Sequence, residues 1–300
     1  MSLSQNKSYY PLSQFALGMW RLGDWNLPNQ ELLTYIKQAI DLGVTTMDHA
    51  DIYGNYECEE IFARAISLDP SIRHKMQLVT KCGIKLRSDK FPNRKVKYYD
   101  YSKKYIINQV ETSLKNLKTD YIDALLLHRP SPFFDHAEVA ETFSQLKKDG
   151  KVKYFGVSNF TLNQFKSLQE HCEEPLITNQ IEISPYALEH FENENIDYLT
   201  SAGIRPMAWS PLAGGSLLHP ETDKGKRVLN AIQEVSTELG NIPFDQVIFA
   251  WILAHPSQII PVIGTGKYER LQSAVESKNV KLSLEQWFKI YVASLGDDVP

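Results

Sequence analysis

The chain has 300 residues, of which 43% are apolar and 23% are charged. These fractions are typical of folded globular proteins and exclude general disorder. The 32 Lys and Arg residues against 36 Asp and Glu residues give a formal net charge of −4. This balance leaves no overall positive field that would attract nucleic acid. No run of eighteen apolar residues occurs, so the sequence predicts no membrane span.

Three cysteines stand at scattered positions, Cys58, Cys82 and Cys172. Their odd number and wide spacing are typical of reduced thiols rather than of a disulfide framework. The first seven residues lack the apolar segment of a secretory signal. We therefore expect a cytoplasmic protein, and a monomer by default because no pattern marks an exposed apolar patch.

Eight short, nearly continuous apolar runs predict strands that are covered on both faces. In chain order they are Phe15–Trp20, Thr45–Ala50, Gln77–Cys82, Tyr121–His128, Tyr154–Ser158, Leu176–Glu182, Arg205–Ser210 and Ile259–Gly264. The intervening segments have the apolar spacing of amphipathic helices. The clearest of them are Glu31–Leu42, Tyr105–Leu117, Val139–Lys148, Thr161–His171 and Leu284–Leu295.

This alternation predicts one α/β domain over residues 1–300, a (β/α)8 TIM barrel with an extra C-terminal helix. An open doubly wound sheet has a similar pattern of strands and helices. Two observations favour the barrel. No predicted strand is followed by the G-x-G-x-x-G fingerprint of a Rossmann unit, and polar residues end many different strands, as in barrel sites.

Four ionisable residues follow three strands that we expect to be neighbours: Asp48 and Tyr53, then Lys81, then His128. A positive charge next to a phenol lowers its pKa from about 10, so Lys81 would make Tyr53 a better proton donor. Asp48 would keep Lys81 charged, and His128 would hydrogen-bond a substrate oxygen. Any one of them alone is more often a structural ion pair, but four together favour catalysis.

The second half of the chain offers polar and aromatic groups that suit a ligand. The strand ends carry Ser158, Asn159, Gln180 and Trp209, and Gly214 and Gly215 permit close backbone approach to a diphosphate. Gly264, Thr265, Gly266 and Lys267, followed by Arg270, offer backbone N–H groups, a hydroxyl and two cations to a phosphate. An ordinary glycine turn before a helix is an equally consistent interpretation.

The segment Lys85–Lys104 contains eight cations. We interpret it as a solvated loop, with a substrate flap as the alternative. The sequence has no zinc-ligand spacing and no Walker loop, so we expect no metal site.

Taken together, several motifs resemble the aldo-keto reductase superfamily along nearly the whole chain. They are Asp48–Gly54, Val79–Lys81, Leu127–His128, Gly156–Asn159, Asn179–Gln180 and Gly264–Lys267. The segments Pro206–Leu212 and Gln286–Pro300 resemble a bacterial branch of reductases. The resemblance implies a TIM barrel that binds NADPH without a Rossmann fold and transfers hydride reversibly between the nicotinamide and a carbonyl carbon.

By this resemblance, Tyr53 is the general acid, assisted by Lys81, Asp48 and His128. Three groups of ligands are implied: an amide set for the carboxamide, an indole that stacks on the nicotinamide, and cations for the 2′-phosphate of NADP. The residues implied for NADP(H) are Met19, Trp20, Ser158, Asn159, Gln180, Trp209, Ser210, Pro211, Leu212, Gly214, Gly215, Gly264, Thr265, Gly266, Lys267 and Arg270.

The chain departs from the family where many relatives have a Glu-Asn pair for adenine, because Ser273 and Ala274 stand there. Trp20, Tyr53 and Trp209 suggest an aromatic mouth, and hence broad specificity for small-molecule aldehydes and ketones. Three alternatives remain open. One is an NADPH-binding regulatory subunit similar to potassium-channel β subunits, and another is a class I aldolase with Lys81 as Schiff base. A metal-dependent hydrolase built on Asp48 and His128 is the weakest of the three.

Overall fold

A computed structural model describes residues 10–300 and contains a closed barrel of eight parallel strands. The barrel strands are β1 Ala16–Gly18, β2 Thr46–Asp48, β3 Gln77–Cys82, β6 Ile122–Leu127, β7 Val152–Ser158, β8 Leu176–Glu182, β9 Met207–Trp209 and β10 Ile260–Ile263, and the strands β4 Ile84–Lys85 and β5 Tyr98–Tyr99 form a separate pair. Around the barrel the order is β1, β2, β3, β6, β7, β8, β9 and β10, and β10 pairs with β1. The predicted TIM barrel is therefore confirmed.

Helices surround the barrel and connect its strands. They are α1 Asn29–Asp41, α2 Tyr53–Tyr56, α3 Cys58–Ile66, α4 Lys103–Leu117, α5 His136–Lys148, α6 Leu162–His171, α7 Glu189–Glu192, α8 Asn195–Ser201, α9 Asp223–Glu238, α10 Phe244–Leu253, α11 Tyr268–Glu276 and α12 Leu284–Leu295. Thr161 and Ser283 form capping boxes that begin α6 and α12. The extra C-terminal helix has the predicted bounds. Among the helices of residues 10–300, none combines the length and apolar character needed to cross a bilayer.

Several strands are shorter than their apolar runs. β1, for example, covers Ala16–Gly18 of the predicted Phe15–Trp20, and β9 covers Met207–Trp209 of the predicted Arg205–Ser210. Phe15 and Met19 are buried although they lie outside the strand. The apolar pattern reports burial, whereas a strand requires pairing, and the chain leaves the barrel at these points to form loops.

Much of the segment Lys85–Lys104 is an exposed loop, as predicted, but its two ends form regular structure. It contains the antiparallel pair β4 and β5 and the start of α4. Part of its charge is paired, since Lys85 contacts Asp100 at 2.9 Å and Lys90 contacts Glu57 at 2.8 Å. The hairpin is therefore docked on the rim of the barrel.

The barrel interior is filled by apolar side chains, so chemistry is confined to one end of it. Six of the barrel strands contribute to one buried cluster, including Ala16, Val79, Leu126, Met207 and Ile260. Beyond this layer, toward the carboxyl ends of the strands, the buried side chains become polar. That end holds the candidate site.

Candidate active site

The structure brings the four predicted ionisable residues together. Lys81, fully buried on β3, donates to both carboxylate oxygens of Asp48 at 2.8 and 2.9 Å. The same ammonium donates to the backbone oxygen of His49 at 2.8 Å and lies 3.2 Å from the Tyr53 hydroxyl. His128 follows β6, and its ring centroid lies 5.8 Å from that of Tyr53 in an edge-on arrangement.

A left-handed turn directs Tyr53 into the barrel. Gly54 and Asn55 have φ values of +56° and +53°, which few residues other than glycine and asparagine adopt readily. A Cβ atom on Gly54 would lie 2.6 Å from the Cys58 sulfur, so the turn also requires glycine for space. The sequence Tyr53-Gly54-Asn55 thus fixes the position of the phenol.

Burial raises the pKa of Tyr53, and the nearby Asp48 carboxylate adds to this, whereas the Lys81 ammonium lowers it. Lys81 therefore has the predicted lowering effect, but that effect does not dominate. The cause is that desolvation of the phenolate outweighs the attraction of one ammonium whose charge is already paired with Asp48. As a result, Tyr53 carries its proton at neutral pH.

The other two ionisable groups have defined charge states. Burial alone would lower the pKa of Lys81, but the adjacent Asp48 and Tyr53 raise it, so the amine stays protonated. Burial, together with the positive charges of Lys81, Arg129 and Lys97, lowers the pKa of His128 well below its ordinary value. His128 is therefore neutral at neutral pH. Its Nδ1 atom is buried without a hydrogen-bond partner among residues 10–300.

The predicted carboxamide ligands form one hydrogen-bonded group. Ser158 donates to the Gln180 backbone oxygen at 2.9 Å, and Asn159 donates to the Ser158 hydroxyl at 2.8 Å. The Trp209 indole donates to the Asn159 side-chain oxygen at 2.9 Å. Gln180 extends this group to the ionisable residues, because its amide donates to Asp48 Oδ1 at 2.9 Å.

The two glycine segments line an open part of the rim. A Cβ atom on Gly214, Gly215 or Gly264 would meet nothing within 4 Å. Such open backbone leaves room for the close approach of a diphosphate. Next to them, Ser210 has a φ of +49°, Pro211 is buried and Leu212 is half-buried.

Trp25 and Tyr35 contact the segment Gly264–Lys267 and fix its position. A Cβ atom on Gly266 would lie 2.6 Å from the Trp25 indole, and the Tyr35 hydroxyl donates to the Thr265 backbone oxygen at 2.5 Å. Lys267 and Arg270 are exposed, at the start of α11, and form no ion pair with any residue that the structure describes. Two free cations beside a helix N-terminus fit a phosphate group.

Four further predicted residues have different surroundings. Met19 is fully buried in the core next to β1, whereas Trp20 is 60% exposed at the rim. Ala274 is buried as well, and Ser273 accepts a hydrogen bond from Gln246 at 3.3 Å. Neither Ser273 nor Ala274 provides the acidic and amide groups that many relatives present at these positions.

Two cations near His128, Arg129 and Lys97, were not predicted as site residues. Arg129 is half-buried, and its guanidinium carbon lies 5.7 Å from the centroid of the Trp209 ring. Lys97, on the hairpin, is exposed. Neither takes part in an ion pair within residues 10–300. Arg129 could have been found from its position directly after His128, whereas Lys97 could be placed only by the fold of the hairpin.

The described residues contain no cluster of three His, Cys, Asp or Glu side chains able to hold a metal ion.

Comparisons with known proteins find relatives along nearly the whole chain. The model of the Aldo/keto reductase family matches residues 14–293. The oxidoreductase YcsN of Bacillus subtilis (strain 168) is 48% identical over 96% of both chains. The oxidoreductase YdhF of Escherichia coli (strain K12) is 44% identical over 96% of this chain and 95% of its own. A 6-dehydroglucose reductase of Agrobacterium fabrum is 38% identical over 96% of both chains.

Solved structures show the same fold. A glycerol dehydrogenase from Gluconobacter oxydans superposes with a TM-score of 0.83 at 23% identity, covering 96% of this chain and 94% of its own. An aldo/keto reductase from Klebsiella pneumoniae, in complex with NADP and acetate, gives a TM-score of 0.73 at 23% identity. That match covers 93% of this chain and 90% of the other.

Proposed function

Because this chain belongs to the aldo/keto reductase family, we propose that it reduces the carbonyl group of aldehydes or ketones to an alcohol, using NADPH. The observation that carries the proposal is the buried set of contacts from Asp48 through Lys81 to Tyr53, with His128 beside the phenol. This set supplies a proton to an oxygen atom, which is the half of carbonyl reduction that a protein must provide.

Tyr53 is the proton donor in this proposal. A carbonyl oxygen gains negative charge as its carbon is reduced, and a protonated phenol at that oxygen can neutralise the charge. Lys81, 3.2 Å away, stabilises the phenolate that remains. Asp48 holds the ammonium in place and keeps it charged despite its complete burial.

His128 orients the substrate. A neutral imidazole presents one N–H group, which can donate to the carbonyl oxygen without competing with Tyr53 for the proton. Its low pKa keeps it neutral, so it would not add a second positive charge next to Lys81.

NADP(H) would supply or accept the hydride when bound, and the residues present fit it. Trp209 offers a flat face for a nicotinamide, and Ser158, Asn159 and Gln180 offer amide and hydroxyl groups beside it. The open backbone at Gly214–Gly215 suits a diphosphate. Lys267 and Arg270, together with Thr265, suit the 2′-phosphate of NADP. The NADP complex of the Klebsiella pneumoniae structure supports this choice of cofactor.

The substrate side of the site combines aromatic and basic groups. Trp20 and Trp209 suit many carbonyl compounds, in line with the broad specificity expected from the sequence. Arg129 and Lys97 add donors for hydroxyl or anionic groups near His128. Two relatives, 38% and 34% identical, are named 6-dehydroglucose reductase. We therefore include sugar-derived aldehydes in the proposed substrate range.

The aldolase alternative fits the geometry less well. A Schiff base requires a neutral, accessible amine, but Lys81 is fully buried, is hydrogen-bonded to Asp48 and His49, and has a raised pKa. A regulatory subunit with little turnover shares the cofactor site, so only rate measurements separate it from an enzyme. The cytoplasmic location and the monomeric state stay predictions.

The first experiment is a fluorescence titration with NADPH and NADH side by side, followed by turnover measurements. Saturable quenching of tryptophan fluorescence with preference for NADPH is the expected result. The substrate panel contains simple aldehydes, quinones and sugar aldehydes. Tight NADPH binding without turnover on any of them would favour a regulatory subunit. Binding of neither cofactor would contradict the reductase, and trapping of Lys81 by borohydride would then test the aldolase.

A further inference from the structure

Gln180 connects two sets of residues that approach the site from opposite sides of the barrel. It lies on β8, is 2% exposed, and its side-chain amide donates to Asp48 Oδ1 at 2.9 Å. Asp48 lies on β2, 132 positions earlier in the chain. β2 and β8 are not neighbours, so this bond crosses the barrel.

The Asp48 carboxylate is held by two donors of different kinds. Oδ1 accepts from the Lys81 ammonium at 2.8 Å and from the Gln180 amide, and Oδ2 accepts from Lys81 at 2.9 Å. A continuous path of contacts therefore runs from Gln180 through Asp48 and Lys81 to the Tyr53 hydroxyl. Hydrogen bonds to a buried carboxylate are strong and polarise one another in a low dielectric.

The charges that face Tyr53 are balanced along this path. Lys81 lowers the pKa of the phenol, while Asp48 and, more weakly, Cys58 raise it. An amide that donates to Asp48 draws part of the carboxylate charge toward itself. Without that donor, more of the negative charge would act on Lys81 and Tyr53, and the phenol would hold its proton more tightly.

The other end of Gln180 touches the residues proposed for the nicotinamide. Its backbone oxygen accepts from the Ser158 hydroxyl and from the Asn159 backbone N–H, both at 2.9 Å. The Asn159 side chain in turn accepts from Trp209. A shift of this group on cofactor binding would therefore be transmitted to the bond with Asp48.

We propose that Gln180 is a positioning residue that links the cofactor side of the site to the proton donor by holding the Asp48 carboxylate on Lys81. The inference deepens, and rests on, the function proposed above. A purely structural amide would only fill the barrel, and a pure cofactor ligand would affect only NADPH affinity. The link predicts, in addition, a change at Tyr53 when Gln180 is substituted.

The substitution Gln180→Met keeps an unbranched side chain and removes the donor. At saturating NADPH we expect kcat to fall about tenfold, the effect of losing one hydrogen bond to a charged group. In the reverse reaction, alcohol oxidation by NADP⁺, Tyr53 must be deprotonated, so the rising, acid-side limb of the pH profile should move up by about one unit. Asn179→Leu is the matched control, because it also replaces a buried amide with an apolar side chain of similar size, and this neighbouring amide bonds to Phe160 and Asn195 instead.

The substitution Gln180→Glu is nearly isosteric and serves if Gln180→Met folds poorly. A carboxyl group donates a hydrogen bond only while it is protonated, and the Asp48 charge raises its pKa. Turnover should therefore be retained at acid pH and be lost as the pH rises and the introduced carboxyl ionises. If Gln180 only filled space in the barrel, turnover of Gln180→Glu would not depend on pH in this way.

A readout without cofactor completes the test. In protein labelled with ¹³Cζ-tyrosine, the NMR signal of Tyr53 is identified by its loss in Tyr53→Phe. This signal should shift in Gln180→Met and stay in place in Asn179→Leu. A higher KM for NADPH with unchanged kcat, pH profile and NMR signal would overturn the link, as would a pH-independent loss of kcat equal to that of the control.

The two proposals can fail separately. If the wild-type protein has no NADPH-dependent turnover, the proposed function fails and the cofactor end of the link fails with it. The NMR signal of Tyr53 still tests whether Gln180 acts on Tyr53 through Asp48. If the wild type turns over and Gln180→Glu has the same pH profile as the wild type, the link alone is contradicted.

Discussion

The two sides of the barrel rim differ in how far their charged groups are buried and paired. On the side of β2, β3 and β6, Asp48 and Lys81 are almost completely buried and bonded to each other. On the side of β9 and β10, Lys267 and Arg270 are exposed and Gly214 and Gly215 face open space. Asp48 and Lys81 on the first side pair with each other without a ligand, whereas Lys267 and Arg270 on the second side have no partner among the described residues. Under the proposed function, this difference means that the proton donor is preorganised and that the cofactor site is not.

The largest expected contrast between the two sides is in stability. Lys81→Met removes one partner of a buried ion pair, so we expect the free energy of unfolding to fall by about 3–5 kcal/mol at neutral pH. Lys267→Ala removes an exposed charge and should change it by less than about 0.5 kcal/mol. Urea unfolding followed by circular dichroism measures both. Equal changes in the two variants would show that the buried side is not the more constrained one.

The next contrast is in catalysis. Tyr53→Phe removes the proton donor and keeps the ring, so turnover should fall by roughly 10² or more. The Kd for NADPH, measured by tryptophan quenching, should stay near that of the wild type, because the phenol belongs to the preorganised side. A variant with a wild-type rate would show that another group supplies the proton.

The exposed side should affect the cofactor alone. We expect Lys267→Ala with Arg270→Ala to weaken NADPH binding about tenfold to hundredfold, since each cation makes a charge-assisted contact with a phosphate. NADH lacks the 2′-phosphate, and its Kd should hardly change. Equal losses for both cofactors would place the 2′-phosphate site elsewhere on the rim.

The smallest effect concerns pH. The proposed carbonyl reduction requires protonated Tyr53, whose pKa burial raises above its ordinary value of 10.0, and neutral His128, whose pKa burial lowers well below its ordinary value of 6.5. Neither group changes its protonation between pH 7 and 9. The kcat for reduction should therefore vary by less than about twofold there and fall only as the pH passes about 10. A steep limb near pH 7 in kcat would show that a different group controls the proton.

The sequence predicted the buried side better than the open side. Asp48, Lys81 and His128 directly end apolar runs, and such runs mark barrel strands, so the fold class and the convergence of these residues could be predicted. Lys97 and Arg129 could not be placed in the same way. Lys97 belongs to a hairpin whose docking depends on contacts such as that of Arg94 with the Tyr56 hydroxyl, and no periodicity encodes such contacts.

By itself, the sequence determined which chemical groups the protein can use and along which strands they lie, because apolar runs, caps and glycine turns act over a few neighbouring residues. Only the tertiary structure decided how those groups modify one another. Burial raises the pKa of Tyr53 against the pull of Lys81, and Gln180 reaches Asp48 across the barrel. Both effects depend on distance and dielectric between residues that are far apart in the chain, and these quantities exist only once the barrel has closed.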